Sequence, residues 1–224
     1  MKPWELLGEA RMPDGTDMKL QRRDQEYVIF AGGRVLMSSR MHGSEEALAA
    51  LACARARTVE APTVLIGGLG MGFTLRAILD LLPPDASVVV VELQPAVGVW
   101  NRGPLGKLAD HPLRDRRVQL DEGDVLTTLR SSRARFDAVI LDVDNGPAAF
   151  TTSTNKALYE DAGLAAIHRA LKSHGVLAVW SAWEDRKFEQ RLRYGGFAVT
   201  VERVRARLRR GGPRHTLFLG ARKP

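Results

Sequence analysis

The sequence predicts an α/β fold in which a mostly parallel sheet is built from strands joined by helices. From residue 44 onward, short apolar segments of strand length alternate with segments of helical periodicity. A glycine-rich turn links one of these strands directly to a helix. The 224 residues are enough to bury the core of one such domain with a small extension. We therefore expect a single Rossmann-like domain.

The first 43 residues are predicted to form a small β-hairpin extension. Residues 27–31 and 34–38 are strand-like and flank Gly32 and Gly33, a pair typical of a tight hairpin turn. The main domain is then expected to span residues 44–224. Its first helix would begin at Ser44, as the N-cap, and continue to about Arg57.

The remaining elements are predicted to form a seven-stranded sheet whose last two strands are an antiparallel hairpin around residues 211–213. Helices are expected at about 73–82, 155–171 and 184–194. The strands are expected at 63–66, 87–92, 118–120, 136–141, 175–180, 197–204 and 215–220. This order is typical of the class I methyltransferase sheet, with the ligand site at the carboxyl ends of the strands.

Composition narrows the class of protein. Cys53 is the only cysteine, which excludes a disulfide framework and argues against a cysteine-based zinc site. The five histidines show no metal-ligand spacing, so we predict no metal. We find no signal peptide and no apolar segment of membrane-spanning length, and therefore expect a cytoplasmic protein.

The net charge of +7 is concentrated near the end of the chain, where residues 185–224 carry twelve Lys/Arg and three Asp/Glu. Arginines alternate there with apolar residues, which would place them on one face of a strand: Arg203, Arg205, Arg207 and Arg209. They form either a solvated edge or a clamp for a carboxylate, a phosphate or an acidic peptide. Nucleic acid is disfavoured because no aromatic residue is interleaved with them.

The strongest motif is the glycine loop after the first predicted parallel strand, which contains Gly67, Gly68, Gly70 and Gly72. Glycine lets the backbone turn tightly and approach a ligand where a Cβ would collide. The N-terminus of the following helix would offer free N–H groups to an anionic group of that ligand.

Acids at the ends of the next two strands extend this cofactor site. Glu92, followed by Leu93, is placed to accept hydrogen bonds from ribose hydroxyls. Gly123, Asp124 and Val125 follow the third strand, and the Asp124 carboxylate is placed to accept from an adenine amino group. This constellation predicts S-adenosylmethionine or a close relative as cofactor.

Two other interpretations of the loop stay open. It is either a packing turn beside solvated acids, or a dinucleotide-binding loop, which is usually spaced Gly-x-Gly-x-x-Gly. Here the third glycine comes one residue earlier, and the last strands form a hairpin. Both features favour the methionine-derived cofactor.

Several segments together resemble the spermidine synthase (polyamine aminopropyltransferase) family. The resemblance extends from the Gly32-Gly33 hairpin to about Trp180. It is carried by residues 34–37, 42–45, 64–68, 136–147, 158–161 and 170–177.

The resemblance implies roles for individual residues. Asp142 would accept a proton from the attacking amine and also border the cofactor, with Asp144 as a second acid beside the substrate. Tyr159 would shape the acceptor pocket, and Asn145 would contact the substrate from the same segment as Asp142. His42 lies where the substrate-entry residues of the family fall. An alternative for Asp142 is a structural acid that caps the next segment.

Trp183, after the fifth strand, is expected either to form a wall of the acceptor pocket or simply to pack. Family members that use decarboxylated S-adenosylmethionine typically have an Asp in the glycine loop, whereas no acid lies between Ile66 and Arg76 here. An uncharged loop suits the intact cofactor, and the basic end of the chain would repel polyamines.

We therefore predict an S-adenosylmethionine-dependent methyltransferase acting on a small molecule or acidic peptide, with Asp142 as base or orienting acid. The alternatives are a polyamine aminopropyltransferase that uses the decarboxylated cofactor, and a catalytically idle cofactor-binding or regulatory protein. The exposed N-terminal hairpin suggests a homodimer.

Overall fold

In a computed structural model, the chain is described at residues 2–12, 14–143, 146–147, 153–207 and 212–223. It contains two sheets. The first is antiparallel, with the order β1-β2-β3-β4. Its strands are β1 (Glu5–Arg11), β2 (Asp17–Arg23), β3 (Glu26–Ala31) and β4 (Arg34–Ser38). The predicted hairpin is β3–β4, and two further strands precede it.

The second sheet has seven strands in the order β10-β11-β9-β8-β5-β6-β7. Strands β5 to β9 pair in parallel, whereas β11 pairs antiparallel with both β9 and β10. The predicted fold class is therefore confirmed. The strands are β5 (Thr63–Gly67), β6 (Ser87–Glu92), β7 (Val118–Glu122), β8 (Phe136–Leu141), β9 (Leu171–Ser181), β10 (Phe197–Arg205) and β11 (Arg214–Arg222).

The helices of the described residues cover both faces of this sheet. They are α1 (Gly43–Ala52), α2 (Phe73–Leu81), α3 (Pro95–Arg102), α4 (Val125–Ser131), α5 (Ser153–Tyr159), α6 (Asp161–Ala170) and α7 (Arg186–Tyr194). Short 3₁₀ turns occur at Ala56–Thr58, Gly106–Ala109 and Pro112–Arg114. No helix in the described ranges is both long enough and apolar enough to cross a membrane.

Two helix predictions are wrong in their bounds. Helix α1 ends at Ala52 instead of continuing to about Arg57. The helix expected over 155–171 is interrupted at Glu160, whose extended backbone (φ −85°, ψ 167°) separates α5 from α6. An apolar period alone does not reveal such a break, because both helices present buried residues to the same layer, including Leu158 and Leu164.

The core lies in two layers, one on each face of the parallel sheet. Strand β5 shows why: Val64 and Ile66 pack in one layer, and Leu65 packs in the other. Alternate side chains of a strand point to opposite faces, so a parallel strand covered on both sides must be apolar throughout. All three side chains are fully buried.

The antiparallel sheet is attached to the main domain through α3 and the residues just before it. A Cβ added to Gly8, which lies at a bulge in β1, would be 2.4 Å from the indole nitrogen of Trp100. The Gln94 side-chain amide donates a 3.0 Å hydrogen bond to the carbonyl of Arg11. These contacts bring the small sheet over the carboxyl ends of the parallel strands, where it closes the site described next.

Candidate active site

A cavity of about 320 Å³ lies between the carboxyl ends of the parallel strands and the N-terminal sheet. This volume is at the lower end of the range of about 300–1,000 Å³ typical of small-molecule sites. The N-terminal sheet contributes Met18, Ile29 and Met37 to its wall, so that side of the cavity is largely apolar. The opposite wall is formed by the glycine loop and by residues at the strand ends.

The glycine loop has the conformation that its sequence requires. Gly68, Gly70 and Gly72 all have positive φ, at 88°, 52° and 84°, which other residues rarely adopt. A Cβ on Gly68 would be 2.4 Å from the backbone oxygen of Asp142, so a side chain there would displace that segment. The Asn101 amide supports the loop by donating a 2.8 Å hydrogen bond to the carbonyl of Gly70.

Glu92 ends β6 and is buried in the cavity wall. Its carboxylate accepts hydrogen bonds from the backbone nitrogens of Leu69 and Gln94, both at 2.8 Å. Burial raises the pKa of Glu92, while these backbone hydrogen bonds act in the opposite direction. Glu92 therefore fixes the glycine loop relative to β6, and it keeps lone pairs that a ligand hydroxyl could use.

Asp124 has a structural role as well as a place in the wall. It is the N-cap of α4, and its carboxylate accepts from the backbone nitrogen of Leu126 at 2.9 Å. It also borders the cavity together with Gly123 and Val125. The other carboxylate oxygen accepts a long hydrogen bond, at 3.5 Å, from the Thr127 hydroxyl, and it keeps a lone pair for a ligand donor.

Asp142 follows β8 directly and borders the cavity. Its carboxylate accepts a 2.6 Å hydrogen bond from the Thr74 hydroxyl at the start of α2. Burial raises the pKa of Asp142, and the hydrogen bond from Thr74 opposes that rise. An acid with a raised pKa is a stronger proton acceptor once it is ionised, as general-base chemistry requires.

Glu45, on α1, is a second buried acid of the cavity, and sequence analysis did not identify it as a site residue. Its side chain is 5% exposed. Burial, and then the charge of Asp142, raise the pKa of Glu45 to about 7. The Ser44 hydroxyl donates to Glu45 at 2.6 Å and lies 2.9 Å from the ring nitrogen Nδ1 of His215.

The prediction that Ser44 is the N-cap of α1 is wrong. The N-cap position is His42, which has no side-chain cap hydrogen bond. The Ser44 hydroxyl binds within the site instead. Only the packing of α1 against the main sheet, which local sequence patterns do not reveal, could have indicated that Glu45 is buried.

Most of the predicted cofactor residues lie together. Those bordering the cavity are Gly68, Gly70, Glu92, Leu93, Gly123, Asp124, Val125 and Asp142. Gly67 and Gly72 are not part of the wall: Gly67 packs beneath it against Val125 and Leu141, and Gly72 caps α2 beside Asn101. Their roles in binding stay predictions.

The described residues that were predicted to bind substrate do not border the cavity. His42 contacts Glu46 at 2.8 Å and stacks on Phe73, and it does not border the cavity. Tyr159 is 3% exposed, packed edge-to-face against Phe188 behind the wall. Trp183 is 55% exposed and borders a shallow surface cleft, whereas Trp180 borders the cavity.

Asp144 and Asn145 lie outside the described residues, so their predicted roles are not placed by the structure. The same holds for Arg209 of the arginine run. Of the others in that run, Arg203 pairs with Glu184 at the surface. Strand β10, which carries Arg203 and Arg205, is the edge strand of the sheet.

The charges of the cavity wall are of one sign. Its described residues include no Lys or Arg. They include four acids and one histidine, which are Glu45, Glu92, Asp124, Asp142 and His215. The described residues hold no group of three or more His, Cys, Asp or Glu placed to bind a metal ion. The wall therefore suits an organic ligand that carries positive charge.

Comparison with known proteins identifies relatives of this arrangement. Residues 41–192 match the family model described as spermine/spermidine synthase domain. A curated relative, polyamine aminopropyltransferase 1 of Streptomyces coelicolor, is 32% identical over 141 residues. That alignment covers 62% of this chain and 25% of the relative, so the chain spans about a quarter of that protein.

Solved structures show the same fold. A spermidine synthase from Thermotoga maritima superposes with a TM-score of 0.74 at 18% identity, covering 96% of this chain and 72% of the other. A spermidine synthase in complex with the transition-state analogue AdoDATO gives a TM-score of 0.73 at 17% identity, with the same coverage of both chains.

These comparisons contradict the prediction of a methyltransferase. The family model, the curated relative and both structures are described as spermidine synthases or polyamine aminopropyltransferases. The prediction relied on the missing acid in the glycine loop and on the basic end of the chain, and neither feature describes the whole wall of the cavity. The space beside Gly70 is filled by Met37, and the cavity receives a buried acid from another element, Glu45.

Proposed function

We propose that this chain, which belongs to the spermine/spermidine synthase domain family, is an aminopropyltransferase that uses decarboxylated S-adenosylmethionine and an amine acceptor. The observation that carries this proposal is the acidic wall of the cavity, which has no Lys or Arg among its described residues. Both substrates of an aminopropyl transfer are cations. Intact S-adenosylmethionine carries a carboxylate, which this wall would repel.

The residues present fit a nucleoside with a cationic side chain. Gly68 leaves room that a Cβ would fill, with Asp142 directly behind it. Glu92 and Asp124 border the cavity at the ends of neighbouring strands, and they would hold the ribose and the adenine. The decarboxylated compound, when bound, supplies an aminopropyl group on a positively charged sulfur.

Asp142 is the group proposed to act on the acceptor amine. An amine is a nucleophile only when it is unprotonated, so the reaction needs a base near the attacking nitrogen. The Asp142 carboxylate borders the cavity and is oriented by the Thr74 hydroxyl. It would attract the ammonium form of the acceptor and then take its proton. The new N–C bond forms as the C–S bond breaks, and the electron pair stays on sulfur.

The proposal is tested by following product formation. The purified protein is incubated with decarboxylated S-adenosylmethionine and a panel of diamines and polyamines. Mass spectrometry then measures the aminopropylated amine and methylthioadenosine, which must appear in equal amounts. We expect both products with at least one amine, and none when intact S-adenosylmethionine replaces the decarboxylated compound.

Asp142→Asn is the matched variant, since it keeps the size of the side chain and an acceptor oxygen for Thr74. We expect it to lower kcat by a factor on the order of 10²–10⁴, as removal of a general base usually does. Equal turnover by the variant would refute the role of Asp142. Absence of methylthioadenosine with every amine tested would refute the proposed activity.

A further inference from the structure

Glu45 and Asp142 are two carboxyl groups that face one cavity from different elements. Glu45 comes from α1 and Asp142 from the end of β8. Both border the cavity, and Glu45 is 5% exposed. The charge of Asp142 raises the pKa of Glu45, so the two carboxyl groups repel each other when both are ionised, and such a pair retains a proton that separated acids would lose.

Each member of the pair is fixed by a hydroxyl donor. The Thr74 hydroxyl donates to Asp142 at 2.6 Å, and the Ser44 hydroxyl donates to Glu45 at 2.6 Å. The Ser44 oxygen lies 2.9 Å from the His215 nitrogen Nδ1, and because Ser44 has a single proton, its donation to Glu45 requires the His215 tautomer that is protonated at Nδ1. The chain His215, Ser44, Glu45 therefore orients the Glu45 carboxylate.

The charged groups around the pair do not neutralise it. Glu46, on the same helix as Glu45, adds negative charge, and burial lowers the pKa of His215 and so favours its neutral form. Thr74, on α2, contributes a neutral donor. The described wall contains no Lys or Arg that could serve as a counter-ion. Within the described residues, no protein cation compensates the charge of this wall, so a ligand cation would supply that charge.

We propose that Glu45 and Asp142 share one proton when the cavity is empty, and that a cationic ligand displaces this proton to solvent on binding. This rests on the proposed function, because the cation would be the ammonium of the aminopropyl group. Glu45 would then bind the ammonium, and Asp142 would become fully ionised. The base would be free to accept a proton only when the aminopropyl donor is in place.

The pKa of Glu45, raised to about 7, indicates the pH at which this exchange is measurable. A cation stabilises the ionised form and lowers the pKa of the pair. Binding therefore releases a proton near pH 6–7 and releases none well above the pKa of the empty site. Affinity for the cation is expected to rise with pH up to about 8 and then to become constant.

The test is a carbon NMR titration of the side-chain carboxyls between pH 5 and 9, on protein labelled at Glu and Asp. It is performed on the empty protein, with decarboxylated S-adenosylmethionine, and with methylthioadenosine, which is neutral and lacks the aminopropyl group. Glu45→Gln assigns the Glu45 signal. We expect Glu45 to titrate near pH 7 in the empty protein, at least one unit lower with the cationic compound, and unchanged with methylthioadenosine.

The Ser44→Ala variant provides a second measurement, the titration midpoint of Glu45. This midpoint would not change if Ser44 had only a structural role. Loss of the hydroxyl donor should raise the titration midpoint of Glu45 in the empty protein, because that hydrogen bond stabilises the carboxylate. An ordinary midpoint for Glu45 near pH 4.5, or a midpoint that the bound cation leaves unchanged, would overturn the proposal.

The same titration separates the two hypotheses. If the cationic compound fails to bind while Glu45 of the empty protein titrates near pH 7 and Asp142→Asn lowers that midpoint, the proposed aminopropyl donor is wrong and the shared proton is supported. If the compound binds and forms product while Glu45 titrates in its ordinary range, the activity stands and the shared proton is refuted.

Discussion

At the scale of single residues, the site depends on acids placed where burial opposes their ionisation. Glu45 and Glu92 are both buried, and burial raises the pKa of each. A buried carboxylate without a counter-ion costs folding free energy, and proteins keep such groups chiefly where function needs them. In the proposed function, a bound cation would offset the cost of burying Glu45.

This cost predicts a pH-dependent effect of Glu45→Gln on stability. A carboxyl whose pKa is higher in the folded state than in the unfolded state stabilises the fold at low pH, and that contribution is lost as the pH rises through the folded value. For Glu45 this loss occurs between its ordinary pKa of 4.5 and its folded-state pKa of about 7. The variant should therefore be more stable than the wild type at pH 8, by on the order of 2–3 kcal/mol.

The difference should shrink toward pH 5, as measured by urea unfolding at several pH values. The control is Glu122→Gln, at an exposed position at the end of β7, which should show no such dependence. A Glu45→Gln variant equal in stability to the wild type at pH 8 would mean that the Glu45 charge is compensated in the empty protein.

At the scale of the elements, several groups have both a structural and a proposed binding role. Asp124 caps α4 and borders the cavity, and Gly72 begins α2 while closing the glycine loop. Asp185 caps α7 by accepting from the backbone nitrogens of Lys187 and Phe188 at 3.0 Å, and it does not border the cavity. Substitutions of these two aspartates therefore distinguish the effect of losing a helix cap from the effect of losing a contact with the ligand.

We predict that Asp124→Ala and Asp185→Ala each lower the free energy of unfolding by about 1 kcal/mol, the usual cost of losing an N-cap. Only Asp124→Ala should also weaken the binding of methylthioadenosine, by on the order of tenfold for one lost hydrogen bond. Calorimetric titration and urea unfolding measure the two effects. Unchanged binding in Asp124→Ala would show that Asp124 is a helix cap alone.

At the scale of the whole molecule, the net charge of the chain and the charge of the cavity wall are opposite in sign. The net charge is +7, yet the described wall of the cavity is acidic. The described arginines of the terminal run lie on or after the edge strand β10, and Arg203 is paired with Glu184. Arg203 and Arg214 line a surface cleft that shares Ala182 and His215 with the cavity, but neither arginine borders the cavity itself. The predicted homodimer stays a prediction.

The parts of the fold that follow from short-range patterns could be predicted from the sequence. Local periodicity predicts the parallel strands. The spacing of residues after those strands predicts the glycine loop and the acids at the strand ends, such as Glu92. Glu45 could not be identified in this way, because it reaches the cavity only after α1 packs against the main sheet. The same holds for Met37, which fills the space beside Gly70 from a different sheet. The missing acid in the loop and the basic end of the chain together led to the prediction of a methyltransferase, which the comparisons contradict.

The most direct test of the acidic-cavity account compares the affinities of intact and decarboxylated S-adenosylmethionine by calorimetric titration at pH 8. The two compounds differ in one carboxylate, which the wall containing Glu45 and Asp142 should repel. We predict that the decarboxylated compound binds at least tenfold more tightly, and that Glu45→Gln reduces this preference. Equal or tighter binding of intact S-adenosylmethionine would contradict the account.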